Sequence, residues 1–444
     1  MSDNPFFEDW STPFGLPPFS RIRPEHFAPA FARALADHEA EIAAIAGQAA
    51  APDFENTIVA LEKAGRALRR VSRVFWNLSS ADSNEALQAV ERDMSPKLAA
   101  HGAAIYMNAE LFARLDAVAA APQGLDAQQA RVLARIHKDF IRAGARLDPA
   151  QKTRMKEIVE RLAALSTQFG QNVLKDESDF VMELGEEDVA GLSGGLKASA
   201  AETARARGLA SPYAITLSRS HVEPFLASSA RRDLRERLFN AFVARGARGG
   251  GADNHAIIAE IVALRAEKAA LLGYATYAHY KLDDTMAKTP ERVRALLDQV
   301  WAKGRARALA ERDDMQAIAE AEGANFPIAA HDWRYYAEKA RAARFAIDEA
   351  QVKRHFELEN VRAAAFDAAG RLFGLTFEEK TGLDLYHPDV RAFEAKDRDG
   401  RHVALFLADD FARPSKRSGA WMSAFRSQEK LAGDVRPIIL NVLN

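Results

Sequence analysis

The stretch YHPDVRAFEAKDRDGRHVALFLADDFARPSKRSGAWM, residues 386–422, contains the clearest strand signal of the chain. Its two apolar runs, VRAFEAK and RHVALFL, flank Asp397–Gly400, a four-residue turn that ends in Asp-Gly. Such a turn between two apolar runs is typical of a β-hairpin. In the second run, Val403, Leu405 and Leu407 alternate with side chains that are also largely apolar. We therefore expect a hairpin whose second strand is covered on both faces.

Further strands are predicted on either side of the central helical region. PIILNVL, residues 437–443, predicts a third strand beside the hairpin. Because no helix follows it in the given sequence, we expect this strand to be an unpaired edge with an apolar surface left exposed. DFVMEL at 179–184 and YAITLS at 213–218 predict a smaller strand pair that carries a loop and a helix between its strands.

Most of the remaining sequence predicts helices, because apolar residues recur at helical spacing between readable start and stop signals. Asp148-Pro149 and Thr289-Pro290 each place a capping residue before a proline, as at many helix starts. We predict a mainly α protein with a small antiparallel β element near residues 390–443. We divide it into an N-terminal helical domain with the small strand pair, residues 1–225, and a second domain, residues 226–444.

Composition limits the classes of partner. The 60 Lys and Arg residues are balanced by 62 Asp and Glu residues, which leaves a formal net charge of −2 and no global basic field for nucleic acid or an anionic membrane. The absence of cysteine excludes disulfides, thiolate nucleophiles and cysteine metal ligands. Neither a secretory signal nor an apolar run of about 20 residues is present. We expect a cytoplasmic protein with no nucleic-acid or membrane partner, and the oligomeric state stays open.

Histidine spacing argues against a local metal site. Two imidazoles one helical turn apart, as in H-E-x-x-H, are the usual way in which a hydrolase holds zinc. The closest of the 11 histidines in sequence are His26 and His38, so no pair can chelate from one turn. His38-Glu39 begins like the signature, but Ile42 stands where the second ligand belongs.

Three further patterns have both a structural and a functional interpretation. GLSGG at 191–195 satisfies G-x-S-x-G around Ser193, but the polar GEEDVA before it favours a simple turn into a helix over a hydrolase nucleophile. Four arginines at helical spacing could bind a carboxylate or phosphate, although a solvated helix face is the favoured interpretation; they are Arg66, Arg69, Arg70 and Arg73. A dense charge cluster after the hairpin predicts an ion-pair network that fixes the loop, with direct ligand contact as the alternative; it contains Asp409, Asp410, Arg413, Lys416 and Arg417.

Several blocks spread over essentially the whole chain match a known family at fixed spacing. They are Asn4-Pro5-Phe6, Trp10, residues 12–19, Pro24–Phe27, Phe54–Thr57 with Ala60–Glu62, Tyr386–Val390, and Arg413-x-x-Lys416-Arg417-x-Gly419-Ala420-Trp421. The chain resembles the M3 family of zinc metallopeptidases, in particular its bacterial peptidyl-dipeptidases. The last block is the most specific, since glycine, tryptophan and two charges follow the hairpin in order.

The resemblance implies a mostly helical, two-lobed zincin-type enzyme with a deep cleft for short peptides. It also implies one zinc, held by two histidines and a downstream glutamate, with the glutamate of H-E-x-x-H as general base. No H-E-x-x-H occurs in these 444 residues, so none of those roles can be carried over onto this chain. We expect residues 226–444 to be the N-terminal part of the catalytic domain, truncated before that motif, and we expect the chain alone to bind no zinc and to be inactive.

The segment Gly419-Ala420-Trp421 is the predicted substrate-binding site, with a purely structural turn that has Trp421 in the core as the alternative. Its two small residues would let another backbone approach closely, and a peptidase of broad specificity should bind the substrate main chain as an added strand. No catalytic or metal-binding residue is assigned. Two alternatives stay open: a non-catalytic helical binding or scaffold protein derived from the peptidase lobe, and a metal-free hydrolase that uses Ser193.

Overall fold

The chain is described from a computed structural model that covers residues 4–122, 124–345, 349–417 and 419–443. Helices dominate it, so the predicted mainly α class is confirmed. The helices are α1 (Pro24–Ala46), α2 (Ala60–Lys63), α3 (Arg66–Ala81), α4 (Glu85–Tyr106), α5 (Ala109–Ala120), α6 (Ala127–Ala143), α7 (Pro149–Asp179), α8 (Gly194–Ala206), α9 (Arg219–Ser228), α10 (Arg232–Val243), α11 (His255–Leu271), α12 (Tyr277–Leu282), α13 (Pro290–Ala321), α14 (Trp333–Phe345), α15 (Glu349–Lys353) and α16 (Leu358–Phe373).

The strands form two separate sheets. They are β1 (Met182–Leu184), β2 (Tyr213–Ile215), β3 (Thr376–Lys380), β4 (Arg391–Lys396), β5 (His402–Asp409), β6 (Trp421–Arg426) and β7 (Ile438–Val442). β1 and β2 pair antiparallel with α8 between them in sequence, which confirms the predicted small strand pair. β4 and β5 pair antiparallel across the Asp-Gly turn, which confirms the hairpin.

The larger sheet has the strand order β3-β4-β5-β7-β6. The predicted antiparallel pairing near residues 390–443 is present in β4–β5 and β6–β7; the parallel pair of β5 and β7 lies between them, so the sheet as a whole is mixed. The prediction that Ile438–Leu443 is an unpaired edge was wrong, because β7 has a strand on each side. The physical reason is the chain path: β6 lies at the outside of the sheet, and residues 427–437 lead back so that β7 lies between β5 and β6.

The chain divides into two compact units by its internal contacts. The first unit takes its described residues from 1–168, 259–277 and 368–444, and the second from 169–258 and 278–367. The boundary predicted between residues 225 and 226 stays a prediction. Judged by length and apolarity, the helices of the described segments include no candidate for a membrane span.

The core of the first unit joins the sheet to helices from the start of the chain. Leu405 of β5 and Leu440 of β7 are fully buried in one cluster with Phe27 of α1 and Phe75 of α3. The rings of Phe27 and Phe75 meet edge to face with centroids 5.1 Å apart. Burying such side chains contributes roughly 1.5–3 kcal/mol each, so this cluster is the main force that holds the sheet against α1 and α3.

Candidate functional site

The candidate site is the outer strand β6 and the loop that leads into it. In the described sheet β6 is terminal, with β7 as its strand partner and its other edge without one. Trp421 lies opposite Val442, and Ser423 lies opposite Leu440. An edge strand presents main-chain N–H and C=O groups that can pair with an extended peptide.

Helix α3 holds β6 in place through a buried asparagine. Asn77 is 6% exposed. Its Nδ2 donates to the carbonyl oxygen of Ala424 at 3.2 Å, and its Oδ1 accepts a hydrogen bond from Ser423 Oγ at 2.5 Å. These bonds fix β6 against α3 at Ser423 and Ala424. The start of β6, Trp421 and Met422, is therefore the part of the edge best placed to receive another chain.

The predicted residues Gly419, Ala420 and Trp421 lie at the start of this edge. Gly419 has φ +113°, a conformation that disfavours side chains, and a Cβ placed there would meet nothing within 4 Å. Ala420 is exposed, whereas Trp421 is half-buried and packs against the core cluster of the first unit. Glycine is thus required by its backbone angle. The substrate-binding role of the three residues stays a prediction.

A buried ion-pair network anchors the loop before β6. Asp409, at the end of β5, is fully buried. Its carboxylate accepts hydrogen bonds from Arg413 Nη1 and Nη2 at 2.8 and 2.6 Å, from Lys416 Nζ at 2.7 Å and from Tyr386 Oη at 2.5 Å. The predicted ion-pair network is confirmed for Asp409, Arg413 and Lys416.

The same cations tie the loop to neighbouring elements. Arg413 donates to the carbonyl oxygen of Ala81, at the end of α3, with its Nη2 at 2.6 Å. Lys416 Nζ donates to the carbonyl oxygen of Leu443, just after β7, at 2.8 Å. The loop therefore connects β5, α3 and β7 before the chain enters β6.

The pKa values of Asp409 and Tyr386 indicate a structural role for this network. Burial would raise the pKa of Asp409, but the hydrogen bonds from Arg413, Lys416 and Tyr386 outweigh it and lower that pKa below its ordinary value. Burial, reinforced by the Asp409 carboxylate, raises the pKa of Tyr386. The carboxylate therefore stays ionised and the phenol stays protonated near neutral pH, and neither group is tuned for proton transfer there.

The described residues do not fit the zinc site that the resemblance implies. They contain no group of three or more His, Asp or Glu side chains placed to hold a metal ion. Two histidines do meet, which sequence spacing could not show: His38 Nδ1 and His101 Nε2, from α1 and α4, lie 2.9 Å apart. Their facing nitrogens share a hydrogen bond with each other. Glu39 adds one carboxylate oxygen 3.5 Å from His101 Nδ1.

Ser193 has the structural role that its sequence context favoured. Its Oγ accepts a hydrogen bond from Leu196 N at 3.2 Å and caps the start of α8. The buried His221 bonds instead to Ser199 Oγ with its Nε2, at 2.9 Å, and its Nδ1 accepts from Thr216 N at 3.2 Å. Within the described hydrogen bonds, Ser193 has no base to activate it.

The arginine stripe is less exposed than predicted. Arg66 and Arg69 are exposed, as expected for a solvated face, but Arg70 and Arg73 are half-buried. All four line one cavity of the first unit. The interpretation as a purely solvated helix face was therefore wrong for Arg70 and Arg73, because the N-terminal segment and the end of β6 cover that side of α3.

Comparison with known proteins gives consistent matches. The family described as peptidase family M3 matches residues 225–444. The chain is 39% identical to the dipeptidyl carboxypeptidase of Salmonella typhimurium, over 100% of this chain and 66% of that protein. It is also 39% identical to the dipeptidyl carboxypeptidase of Escherichia coli, over 99% of this chain and 65% of that protein. Oligopeptidase A of Salmonella typhimurium is 30% identical, over 93% of this chain and 61% of that protein. The chain thus spans slightly less than two thirds of the length of these relatives.

Proposed function

We propose that this chain, which belongs to peptidase family M3, provides the peptide-positioning sheet of a zinc-dependent peptidyl-dipeptidase that hydrolyses short peptides. The observation that carries the proposal is the 39% identity to two proteins named dipeptidyl carboxypeptidase, which extends over essentially the whole chain. The matched family segment, residues 225–444, includes the sheet with its outer strand β6.

In this proposal the substrate binds as an extended strand along β6. Main-chain groups of Gly419, Ala420 and Trp421 pair with main-chain groups of the peptide, which explains how one site accepts many sequences. The exposed Ala420 leaves room for the approaching backbone. Asp409 and its two cations hold the preceding loop, so that the edge is ordered before the peptide arrives.

The metal chemistry is assigned to residues other than those of this chain. In M3 peptidases generally, zinc supplies a bound water of lowered pKa as the attacking group. Because these 444 residues contain no H-E-x-x-H, we propose that the chain alone neither holds stoichiometric zinc nor hydrolyses peptides. Its own contribution is to bind and orient the substrate. The cytoplasmic location expected from composition stays a prediction.

A chimera tests the proposal. The chain is joined to the segment of the Escherichia coli dipeptidyl carboxypeptidase that follows the matched region, and C-terminal dipeptide release from a fluorogenic peptide is measured with and without a chelator. We expect chelator-sensitive turnover by the chimera and none by the chain alone. Stoichiometric zinc and turnover in the chain alone would contradict the assignment of the metal site.

The main-chain binding mode needs its own comparison. In the active chimera, a substrate N-methylated at the residues that would pair with β6 should show a KM raised on the order of tenfold, because each lost hydrogen bond costs about 1 kcal/mol. A folded chimera that lacks dipeptide release would instead favour the non-catalytic binding protein.

A further inference from the structure

A second candidate site lies in the first unit, beside the first half of α3. An open cavity of about 750 Å³ is bounded by α3, by the N-terminal segment around Trp10 and by the end of β6. This volume lies within the range of roughly 300–1,000 Å³ that is typical of small-molecule sites. Part of the wall is apolar, with Leu61, Phe425 and Ile438 facing the space. The cavity therefore has the size and the mixed lining of a ligand site.

The lining carries an excess of positive charge. It holds five arginines and three carboxylates. The arginines are Arg66, Arg69, Arg70, Arg73 and Arg426, and the carboxylates are Asp9, Glu62 and Glu429. Among the described ion pairs, Arg66 has Glu429 at 3.8 Å, and the hydrogen bonds of the other four arginines go to carbonyl or hydroxyl oxygens.

Arg426 and Arg73 show how this charge is held in place. Arg426 Nε donates to the carbonyl oxygen of Arg436 and its Nη2 to that of Phe14, each at 2.7 Å. Arg73 Nη1 donates to Ser427 Oγ at 2.5 Å. These neutral acceptors orient both guanidinium groups; Glu429 offsets part of the Arg73 charge from a distance, and no carboxylate does so for Arg426 among the described residues. Burial accordingly lowers the pKa of Arg426 and of Arg73 below the ordinary arginine value.

Arg70 and the start of α3 add to the same field. The Arg70 guanidinium stacks 3.7 Å above the Trp10 ring, and its buried Nε has no hydrogen-bond partner among the described residues. At the start of α3 the Gly65 N–H donates to Glu41 Oε2 at 2.6 Å, so a carboxylate outside the cavity lining already meets this helix end. Arg66, the first residue of α3, adds a further positive charge at the cavity wall. An anion in the cavity would offset the cost of burying these charges.

We propose that this cavity binds a small organic anion through a terminal oxyanion, a phosphate or a carboxylate, held by Arg66, Arg73 and Arg426. Guanidinium groups bind both kinds of oxyanion through paired hydrogen bonds. The apolar remainder of the ligand lies against Leu61 and Phe425. The site is separate from the edge of β6 at Gly419–Trp421 and does not depend on the peptidase proposal.

Calorimetric titration of the 444-residue chain tests the site. The titrants are inorganic phosphate, phenyl phosphate, and an acetylated dipeptide with either a free carboxylate or an amide at its C-terminus. We expect saturable binding of at least one oxyanion and none of the amide. Binding of the phosphates identifies a phosphate site, and binding of the peptide acid alone identifies a carboxylate site.

Matched variants decide whether the arginines are responsible. Arg73→Gln should weaken binding on the order of tenfold, because a hydrogen bond to a charged group is worth about 1.5–3 kcal/mol. Arg66→Gln should weaken it as well, and Arg66 is 59% exposed, so this variant keeps the fold. Arg305→Gln removes an exposed charge of α13, outside the cavity lining, and should leave binding unchanged. Absence of saturable binding, or equal weakening by all three variants, would overturn the proposal.

Discussion

Replacing Lys416 by methionine should destabilise the loop that leads into β6. Methionine keeps the length of the side chain and removes its charge. The Nζ atom that is lost is buried, with the Lys416 side chain 0% exposed, and it donates to Asp409 Oδ1 at 2.7 Å and to the carbonyl oxygen of Leu443 at 2.8 Å. Asp409 would keep Arg413 and Tyr386 as donors.

The expected loss is about 3 kcal/mol of unfolding free energy. Removing one partner of a buried ion pair costs about 3–5 kcal/mol, because the other charge stays buried. Since Arg413 still neutralises Asp409, we expect the lower end of that range. The variant also removes the hydrogen bond to the carbonyl oxygen of Leu443, so we do not expect the loss of unfolding free energy to be much below about 3 kcal/mol.

Urea unfolding followed by circular dichroism measures this loss against a matched control. Lys97→Met removes the same groups from a pair with Asp93 in which the side chains are 57% and 54% exposed. Such surface pairs contribute about 0–1 kcal/mol. The double variant Asp409→Asn with Lys416→Met should lower the unfolding free energy by less than the sum of the losses in the two single variants. If Lys416→Met lowers the unfolding free energy no more than Lys97→Met does, the network does not hold the loop.

Three other measurements check separate features. Burial, with Arg207 nearby, lowers the pKa of His221 from 6.5 to about 4. The unfolding free energy present above pH 6.5 should therefore fall by about 3 kcal/mol as the pH drops towards 4. Urea unfolding should show a weaker dependence of the unfolding free energy on pH for His221→Gln, and the same dependence in both proteins would refute the assignment. Gly419→Val should lower the unfolding free energy by about 1–3 kcal/mol, because a side chain is strained at φ +113°. Ala420→Val, at an exposed site, should leave stability unchanged and lower peptide affinity. Equal melting temperatures for the two variants would contradict backbone strain at Gly419. Trp301 is 68% exposed among other apolar side chains of α13, so the chain should bind ANS and Trp301→Gln should reduce the signal; a sharp cooperative melt without ANS binding would count against it.

Local patterns predicted the elements whose partners lie nearby in sequence. The β4–β5 hairpin followed from one turn and two apolar runs, and the β1–β2 pair from two short strands around a helix. β3 was not predicted, because TFEEK carries three charged residues and lacks the apolar alternation of a core strand. β6 was missed for a related reason, since WMSAFR follows a loop rich in charged and small residues.

Features that depend on distant partners could not be read from one sequence. The position of β7 between β5 and β6 is set by tertiary packing, which no local pattern encodes. His38 and His101 come together because α1 packs on α4. The Arg70 and Arg73 stripe looked like an ordinary polar helix face, and the N-terminal segment and β6 turn that face into a cavity wall. Spacing within a helical turn cannot reveal histidine pairs that meet across two helices.

The central place of β7 has a consequence for synthesis on the ribosome. Of the described strands, β7 emerges last, yet it separates β5 from β6, so β6 has no strand partner and β5 has only β4 while residues 427–437 are being added. The same cluster joins Leu440 to Phe27, which are separated by almost the whole chain. Contacts of such high sequence separation form slowly. Until β7 has been added, the nascent polypeptide should therefore expose β6 and the edge of β5 that faces away from β4, and chaperone binding should concentrate on this interval.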